Sequence, residues 1–179
     1  MFAGGLTVLG IDPGLTRCGY AVLRAEGSKV AAMAMGVLRT PPTDSLPSRL
    51  AQLHREFASL LTEFSPDVVA VETVFFQVNV RTAMSVGQAS GLALALAFAA
   101  GCEVVQYTPN QVKGAVTGNG AADKQQVQRM VQARLGLAEV PKPPDAADAA
   151  ALALCHIAAA PMRRRVAQSE AMKAAGAQR

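Results

Sequence analysis

The stretch that decides the fold is Thr7–Leu23, TVLGIDPGLTRCGYAVL. It begins with a short β-rich run that ends in an acid, Asp12, and is followed by the turn pair Pro13-Gly14. A second β-rich run, 18–23, comes soon after this turn. Two β-rich runs on either side of a Pro-Gly break are typical of neighbouring antiparallel strands. The stretch therefore predicts two paired strands with an acidic side chain at the rim of a sheet.

The rest of the chain predicts three more strands and five helices. The strands are expected at 29–40, 67–72 and 103–107. Apolar periodicity, Ser45 as a cap, and stops such as Pro161 predict helices at 45–64, 79–100, 110–116, 122–135 and 145–160. Three consecutive strands followed by alternating helices and strands indicate an α/β fold of the ribonuclease H-like type. Its sheet would be mixed and five-stranded, with three antiparallel strands, then two parallel ones, and helices on both faces.

Composition indicates a single globular domain. The chain has 179 residues, of which 51% are hydrophobic and 17% charged, so it can bury a core and is too apolar for general disorder. Three cysteines without a CxxC pair argue against a disulfide framework or a zinc site and favour the cytoplasm. The N-terminal residues lack the pattern of a signal peptide. The apolar run 89–102 is shorter than the roughly 20 residues that span a bilayer, so we expect a buried helix there and no membrane partner.

The net charge of +4 comes entirely from the C-terminal segment. Residues 1–161 hold twelve basic and twelve acidic residues, whereas 162–179 hold five basic residues and one acidic residue. We therefore divide the chain into a folded domain, 1–161, and a basic C-terminal tail, 162–179. The tail is either a solvated, disordered segment or a contact for nucleic acid.

Four acids are predicted to meet at one rim of the sheet. Asp12 and Glu72, the strand acids, each end a buried strand, and their strands are neighbours in the predicted fold. Asp145 and Asp148, the helix acids, are three residues apart at a helix start and share one face. The alanines around the helix acids are small enough to let this helix lie close to the sheet. Taken singly, each acid has another explanation, as a turn residue, a solvated strand end, a helix cap or a polar helix start.

Clustered carboxylates of this kind imply bound metal. Two like charges 4 Å apart repel by about 1 kcal/mol even in water, so four acids at one rim require cations. Ligands that are all oxygen favour Mg²⁺ or Mn²⁺, and two such ions promote in-line displacement at phosphorus. We predict that domain 1–161 is a nuclease domain with two ions per active site. Its catalytic and metal-binding residues would be Asp12, Glu72, Asp145 and Asp148. Neither His54 nor His156 lies in a Ser–His or Cys–His arrangement, and both are interpreted as structural.

The segments that carry this pattern resemble the RuvC family of Holliday junction resolvases. They are Leu9–Leu23, Leu46–Leu50 (LPSRL), Ala70–Phe76 (AVETVFF), the helix 79–91 with VGQASG, Gln111–Gln128 and Asp145–Ala153 (DAADAAALA). The resemblance implies a homodimer that binds four-way DNA junctions in recombination and repair. It implies symmetric nicks on two opposed strands with Mg²⁺ or Mn²⁺, which leave 5′-phosphate and 3′-hydroxyl ends. Branch-migration proteins are implied as further partners.

The same resemblance assigns residues. The family's acidic tetrad falls on the strand acids and the helix acids, its junction-core aromatic on Phe75, and its two DNA-contacting lysines on Lys113 and Lys124. An exposed aromatic beside the catalytic strand end could stack on an unpaired base for about 1–3 kcal/mol, and we expect one phenylalanine of the Phe75-Phe76 pair to do so and the other to pack in the core. Each lysine alone fits a phosphate contact and a solvated charge equally well. The predicted DNA-binding residues are Phe75, Phe76, Asn79, Arg81, Lys113 and Lys124.

Two positions depart from the family's pattern, and three other functions fit parts of the chain. Ser90 stands where many relatives have Arg, and this change affects either a phosphate contact or helix packing. Thr73 stands where Gln is common, and this change affects metal or base contacts near the scissile bond.

An actin-like or sugar-kinase ATPase would need a second phosphate loop that 179 residues do not supply. A non-catalytic junction-binding protein would not need the acidic tetrad. Another ribonuclease H-like nuclease would share the chemistry. The apolar helix 79–100, with Gly87 and Gly91 one turn apart, favours pairing with a second copy.

Overall fold

The structure, a computed structural model, describes residues 5–73 and 80–176. The described residues form one sheet of five strands: β1 (Leu6–Asp12), β2 (Arg17–Glu26), β3 (Lys29–Arg39), β4 (Val68–Glu72) and β5 (Glu103–Tyr107). The strand order is β3-β2-β1-β4-β5. The first three strands pair antiparallel, and β4 joins β1 and β5 by parallel pairing. The predicted ribonuclease H-like sheet is thus confirmed.

Helices cover both faces of this sheet, as predicted. They are α1 (Leu46–Phe64), α2 (Val80–Ala99), α3 (Pro109–Thr117), α4 (Lys124–Leu135) and α5 (Pro144–Gly176). Because side chains alternate along a strand, β1 contributes to two hydrophobic clusters. Val8 packs with residues of α3, α4 and α5, and Leu9 and Ile11 pack with residues of α1 and α2.

Helix α5 lies against the backbone of β1 and β2. The five alanines that follow the helix acids are at most 2% exposed: Ala146, Ala147, Ala149, Ala150 and Ala151. A Cβ on Gly10 would lie 2.0 Å from the carbonyl oxygen of Ala149, and a Cβ on Gly19 would lie 2.1 Å from that of Asp145. Both distances are far below van der Waals contact, so glycine is required at both strand positions. The predicted close packing of this helix is confirmed.

One predicted capping interaction and one predicted helix end need correction. Ser45 occupies the N-cap position of α1, but its side chain makes no capping hydrogen bond. Pro161 does not end α5, which continues to Gly176, and this corrects the expectation of disorder for the tail up to that residue. Proline removes one backbone hydrogen bond, but the alanines, arginines, methionines, glutamine and lysine that follow it favour helix. The division into domain 1–161 and tail 162–179 stays a prediction.

Helix α2 is buried on one face only. Ala89, Ala93 and Ala97 pack on the sheet, whereas Met84 and Phe98 are 59% and 78% exposed. By length and composition alone, the segment 82–99 of this helix is apolar enough to cross a membrane, as a helix that packs on a protein core can also be. A helix that packs one face on a sheet and exposes an apolar second face also suits contact with another protein surface.

Candidate active site

The strand acids lie side by side at the carboxyl ends of β1 and β4. These strands are parallel neighbours, and their last paired residues are Ile11 and Val71. Asp12 and Glu72 each follow directly, so both reach the same rim of the sheet. Both residues are half-buried. The strand topology therefore brings the two strand acids together, as predicted.

The helix acids are carried to this rim by the close packing of α5. Asp12 pairs across the sheet with Gly19, and the backbone carbonyl of Asp145 lies directly over Gly19. Asp148 follows one turn later, and it lines a cavity of about 430 Å³ together with both strand acids. Lys113 and Lys124 line the same cavity, from α3 and α4. The structure thus brings three of the four acids and both predicted lysines to one cleft, with Asp145 beside it.

The electrostatics of the cleft are those of crowded carboxylates. Burial, with repulsion from Glu72, Asp148 and Asp145 in that order, raises the pKa of Asp12 to about 7. Burial and then Asp148 raise the pKa of Glu72. The pKa of Asp148 is also raised by burial, although its hydrogen bond with Lys124 acts in the opposite direction. The negative charge in the cleft is therefore only partly compensated by the side chains around it.

Two cations are paired with the helix acids. The Arg17 guanidinium donates to both carboxylate oxygens of Asp145, with Nε 3.4 Å from Oδ1, and this pair lowers the pKa of Asp145. Lys124 Nζ lies 2.7 Å from Oδ2 of Asp148. Within residues 5–73 and 80–176, no group of three or more His, Cys, Asp or Glu side chains is arranged closely enough to hold an ion. The helix acids are engaged by basic side chains instead.

The donor set nevertheless fits divalent cations. All candidate ligands are carboxylate oxygens, which hard cations such as Mg²⁺ and Mn²⁺ prefer. Burial is the main cause of the raised pKa values of Asp12, Glu72 and Asp148, but repulsion between the carboxylates adds to it, and a cation in the cleft would relieve that repulsion. Both ion pairs of the helix acids are partly exposed to solvent, which weakens such pairs by screening, so a divalent ion would compete with the basic partners of these acids.

The remaining predicted residues have mixed outcomes. Phe75, Phe76 and Asn79 lie outside the described residues, and Arg81 belongs to the first turn of α2. Ser90 is 4% exposed on the packed face of α2, so its position serves helix packing. The Thr73 N–H donates to the carbonyl of Tyr107 at the end of β5.

Neither histidine lies at the cleft. His156 is buried, and its Nδ1 lies 2.9 Å from the hydroxyl of Tyr107, in agreement with a structural role. His54 is exposed on α1. Arg17 was not among the predicted residues, because no local sequence pattern links it to an acid 128 residues away.

The chain is similar to known proteins over most of its length. The family described as crossover junction endodeoxyribonuclease RuvC matches residues 8–156. A protein of that name from Salinispora arenicola is 52% identical over 163 residues, which cover 90% of this chain and 93% of the relative. Another, from Syntrophomonas wolfei, is 50% identical over 152 residues and covers 85% of this chain and 88% of the relative.

A solved structure of Thermus thermophilus RuvC in complex with a Holliday junction substrate superposes with a TM-score of 0.83. It is 40% identical in sequence, and the match covers 88% of this chain and 96% of that chain.

Proposed function

The chain belongs to the crossover junction endodeoxyribonuclease RuvC family, and we propose that it cuts four-way DNA junctions in recombination and repair. It is an endodeoxyribonuclease that acts as a Holliday junction resolvase. Its products would be symmetric nicks with 5′-phosphate and 3′-hydroxyl ends. The observation that carries the proposal is the cleft in which Asp12, Glu72 and Asp148 lie together with Lys113 and Lys124.

The metal requirement belongs to the family, and we propose the ligands and the number of ions. The strand acids and the helix acids would hold two Mg²⁺ or Mn²⁺ ions. When bound, such ions stabilise the charge that develops on the attacking and leaving oxygens of the phosphodiester. Asp12 would be central to holding the ions, because it lies on the central strand β1 and its pKa is raised by all three of the other acids.

The basic side chains of the cleft would bind the DNA backbone. Lys113 and Lys124 line the cavity together with the carboxylates, from α3 and α4. A lysine beside a metal site holds a phosphate mainly by its charge. Both lysines would therefore orient the scissile phosphate over the carboxylates, while the residues Phe75, Phe76, Asn79 and Arg81 are proposed as junction contacts on sequence grounds.

The proposed assembly is a homodimer. Two symmetric cuts on a two-fold junction require two active sites, and the exposed apolar face of α2 is suited to an isologous interface. A cytoplasmic location and contact with branch-migration proteins complete the proposal. These two rest on the composition of the chain and on the resemblance to the family.

The test is a comparison of substrates. Cleavage is measured on a mobile four-way junction, a plain duplex of the same sequence and an RNA–DNA hybrid, each in Mg²⁺ and in Mn²⁺. We expect cleavage of the junction only, in both metals. Preferential cleavage of the hybrid or the duplex would favour another ribonuclease H-like nuclease, and junction binding without cleavage in either metal would favour a non-catalytic binding protein.

A single substitution tests the site. D12N should lower the cleavage rate by at least about a thousandfold, because a metal-site carboxylate is lost, and should leave junction binding in Ca²⁺ nearly unchanged. The matched control is E63Q, which neutralises an exposed acid near the end of α1, away from the carboxylate cleft, and should cut at the wild-type rate. If D12N still nicks junctions in Mg²⁺, the metal assignment is wrong.

A further inference from the structure

Arg17 joins the active site to a second cleft. It is the first residue of β2, five positions after Asp12. Its guanidinium makes a two-pronged contact with the Asp145 carboxylate, and the side chains of this pair are 38% and 24% exposed. A two-pronged arginine–carboxylate contact has a defined geometry, so Asp145 is held in one orientation while the pair exists.

The loop before Arg17 is fixed by hydrogen bonds. The Arg49 guanidinium donates to the hydroxyls of Thr40 at 2.8 Å and of Thr16 at 2.6 Å. The Thr40 hydroxyl in turn donates to the Leu15 carbonyl at 2.6 Å, and the Thr40 N–H donates to the Thr16 carbonyl. These bonds hold the backbone at Arg17 in place, whereas its side chain is partly exposed and can turn.

The second cleft lies on the other side of Arg17. It has a volume of about 700 Å³ and is formed by the loop 14–17, the start of α1 and the first turns of α2. Its polar lining includes the guanidinium groups of Arg17 and Arg49 and the carboxylate of Asp44. Three hydroxyls and one side-chain amide complete it, from Thr16, Thr82, Ser85 and Gln88. Two guanidiniums among hydroxyl donors suit a phosphate group. A DNA strand at the carboxylate rim could place its neighbouring phosphate here.

We propose that Arg17 is a positioning residue that holds Asp145 while no metal is bound and moves to a DNA phosphate in the second cleft once a metal ion takes the carboxylate. The inference rests on the proposed function, since it needs Asp145 as a metal ligand. The exchange is inexpensive because the ion pair is partly exposed. It couples metal binding to DNA binding, because each releases the group that the other requires.

The first test measures Mn²⁺ binding without DNA, from the free-ion signal in electron paramagnetic resonance. R17Q frees Asp145 from its competitor, and we expect it to bind Mn²⁺ about twofold to fivefold more tightly than the wild type, the range of an exposed ion pair. R17K, which keeps the charge but loses the two-pronged contact, should lie between them. The control R24Q removes an arginine–glutamate pair further along the same strand and should match the wild type. Equal or weaker Mn²⁺ binding by R17Q would overturn the inference.

The second test measures junction binding by fluorescence anisotropy, in EDTA and in Ca²⁺. In EDTA, Arg17 is occupied by Asp145 and the pair is nearly neutral, so R17Q, which leaves one uncompensated carboxylate, should bind the junction only slightly more weakly than the wild type, by less than about twofold. In Ca²⁺, the wild-type guanidinium is released to a phosphate, so R17Q should bind about twofold to fivefold more weakly, with a shallower dependence on salt. Equal loss in both conditions would make Arg17 an ordinary phosphate contact and contradict the exchange.

The two proposals fail in different ways. If neither the wild type nor R17Q takes up Mn²⁺, and junctions are not cut, the metal site of the proposed function is wrong and the inference falls with it. If junctions are cut, D12N is inactive and R17Q matches the wild type in both binding measurements, the proposed function stands and the role of Arg17 is refuted.

Discussion

Asp12 carries a stability cost in the metal-free protein. Its pKa is about 7 in the folded chain, against an ordinary value of 3.8. Between these two values, the folded state holds a proton that the unfolded state has lost, so stability falls as pH rises from about 4 to about 7 and stays lower above that. In EDTA at pH 8, D12N should therefore be more stable than the wild type by about 1–3 kcal/mol, and this gain should shrink towards pH 4.

Thermal unfolding of both proteins over this pH range measures the effect. Mg²⁺ should raise the melting temperature of the wild type at pH 8 and have little effect on D12N. E63Q supplies the control for loss of an exposed acid. A wild-type protein as stable as D12N at pH 8 in EDTA would mean that neither burial nor the neighbouring carboxylates disfavour the charged form of Asp12 in the folded chain.

At the scale of single residues, the sequence predicts those side chains whose position follows from the order and direction of the strands. Asp12 and Glu72 end neighbouring parallel strands, so their meeting could be deduced before any coordinates. The partner of Asp145 could not, because Arg17 reaches it only through the packing of α5 on β2, and no periodicity connects residues 128 positions apart.

At the scale of elements, the site depends on how closely α5 approaches the sheet. G10A would place a methyl group 2.0 Å from the Ala149 carbonyl oxygen, so α5 must shift outward and carry Asp145 and Asp148 away from the strand acids. We expect a loss of about 1–3 kcal/mol in the free energy of unfolding, as for other overpacked cores. Junction cleavage should fall by at least about tenfold, because displacements of this order strongly affect catalysis.

Urea denaturation and a cleavage assay together check this expectation. The matched control is G114A in α3, where the nearest atom to an added Cβ, the Gly120 nitrogen, is 4.0 Å away. Alanine is favoured over glycine inside a helix by about 0.5–1 kcal/mol, so G114A should be neutral or stabilising. Unchanged stability and activity in G10A would show that α5 does not pack on the strand backbone.

Strand and helix order could be read from local patterns, but some element boundaries could not. Pro161 is a strong local stop signal, yet the helix formers after it continue α5 to Gly176. Gly10 and Gly19 give no sign in the sequence of why they are glycines, since the atoms that exclude a side chain belong to residues more than 120 positions later. Boundaries and close contacts that depend on distant segments are decided by tertiary packing.

At the scale of the whole molecule, charge and symmetry act together. Residues 1–161 are electrically neutral with their acids counted, so divalent ions in the cleft would give this part of the chain a net positive charge that favours DNA. A junction has two equivalent cutting positions, and one chain has one cleft of this kind among its described residues. The exposed apolar face of α2 is the surface best suited to joining two copies, since its large side chains flank Gly87 and Gly91, whose Cα atoms face open space.

Disruption of this face should separate paired cutting from nicking. Phe98 is 78% exposed, and F98E would bury a charge in the proposed dimer interface, which is costly without a partner. We expect the wild type to sediment as a dimer and F98E as a monomer in analytical ultracentrifugation.

On a supercoiled plasmid with an extruded four-way junction, the wild type should give linear product by two cuts in one encounter, and F98E should give mainly nicked circles. M172E, which changes a methionine that is 76% exposed on α5, should stay dimeric and produce linear DNA. A dimeric F98E with full linear product would place the interface on another surface of the chain.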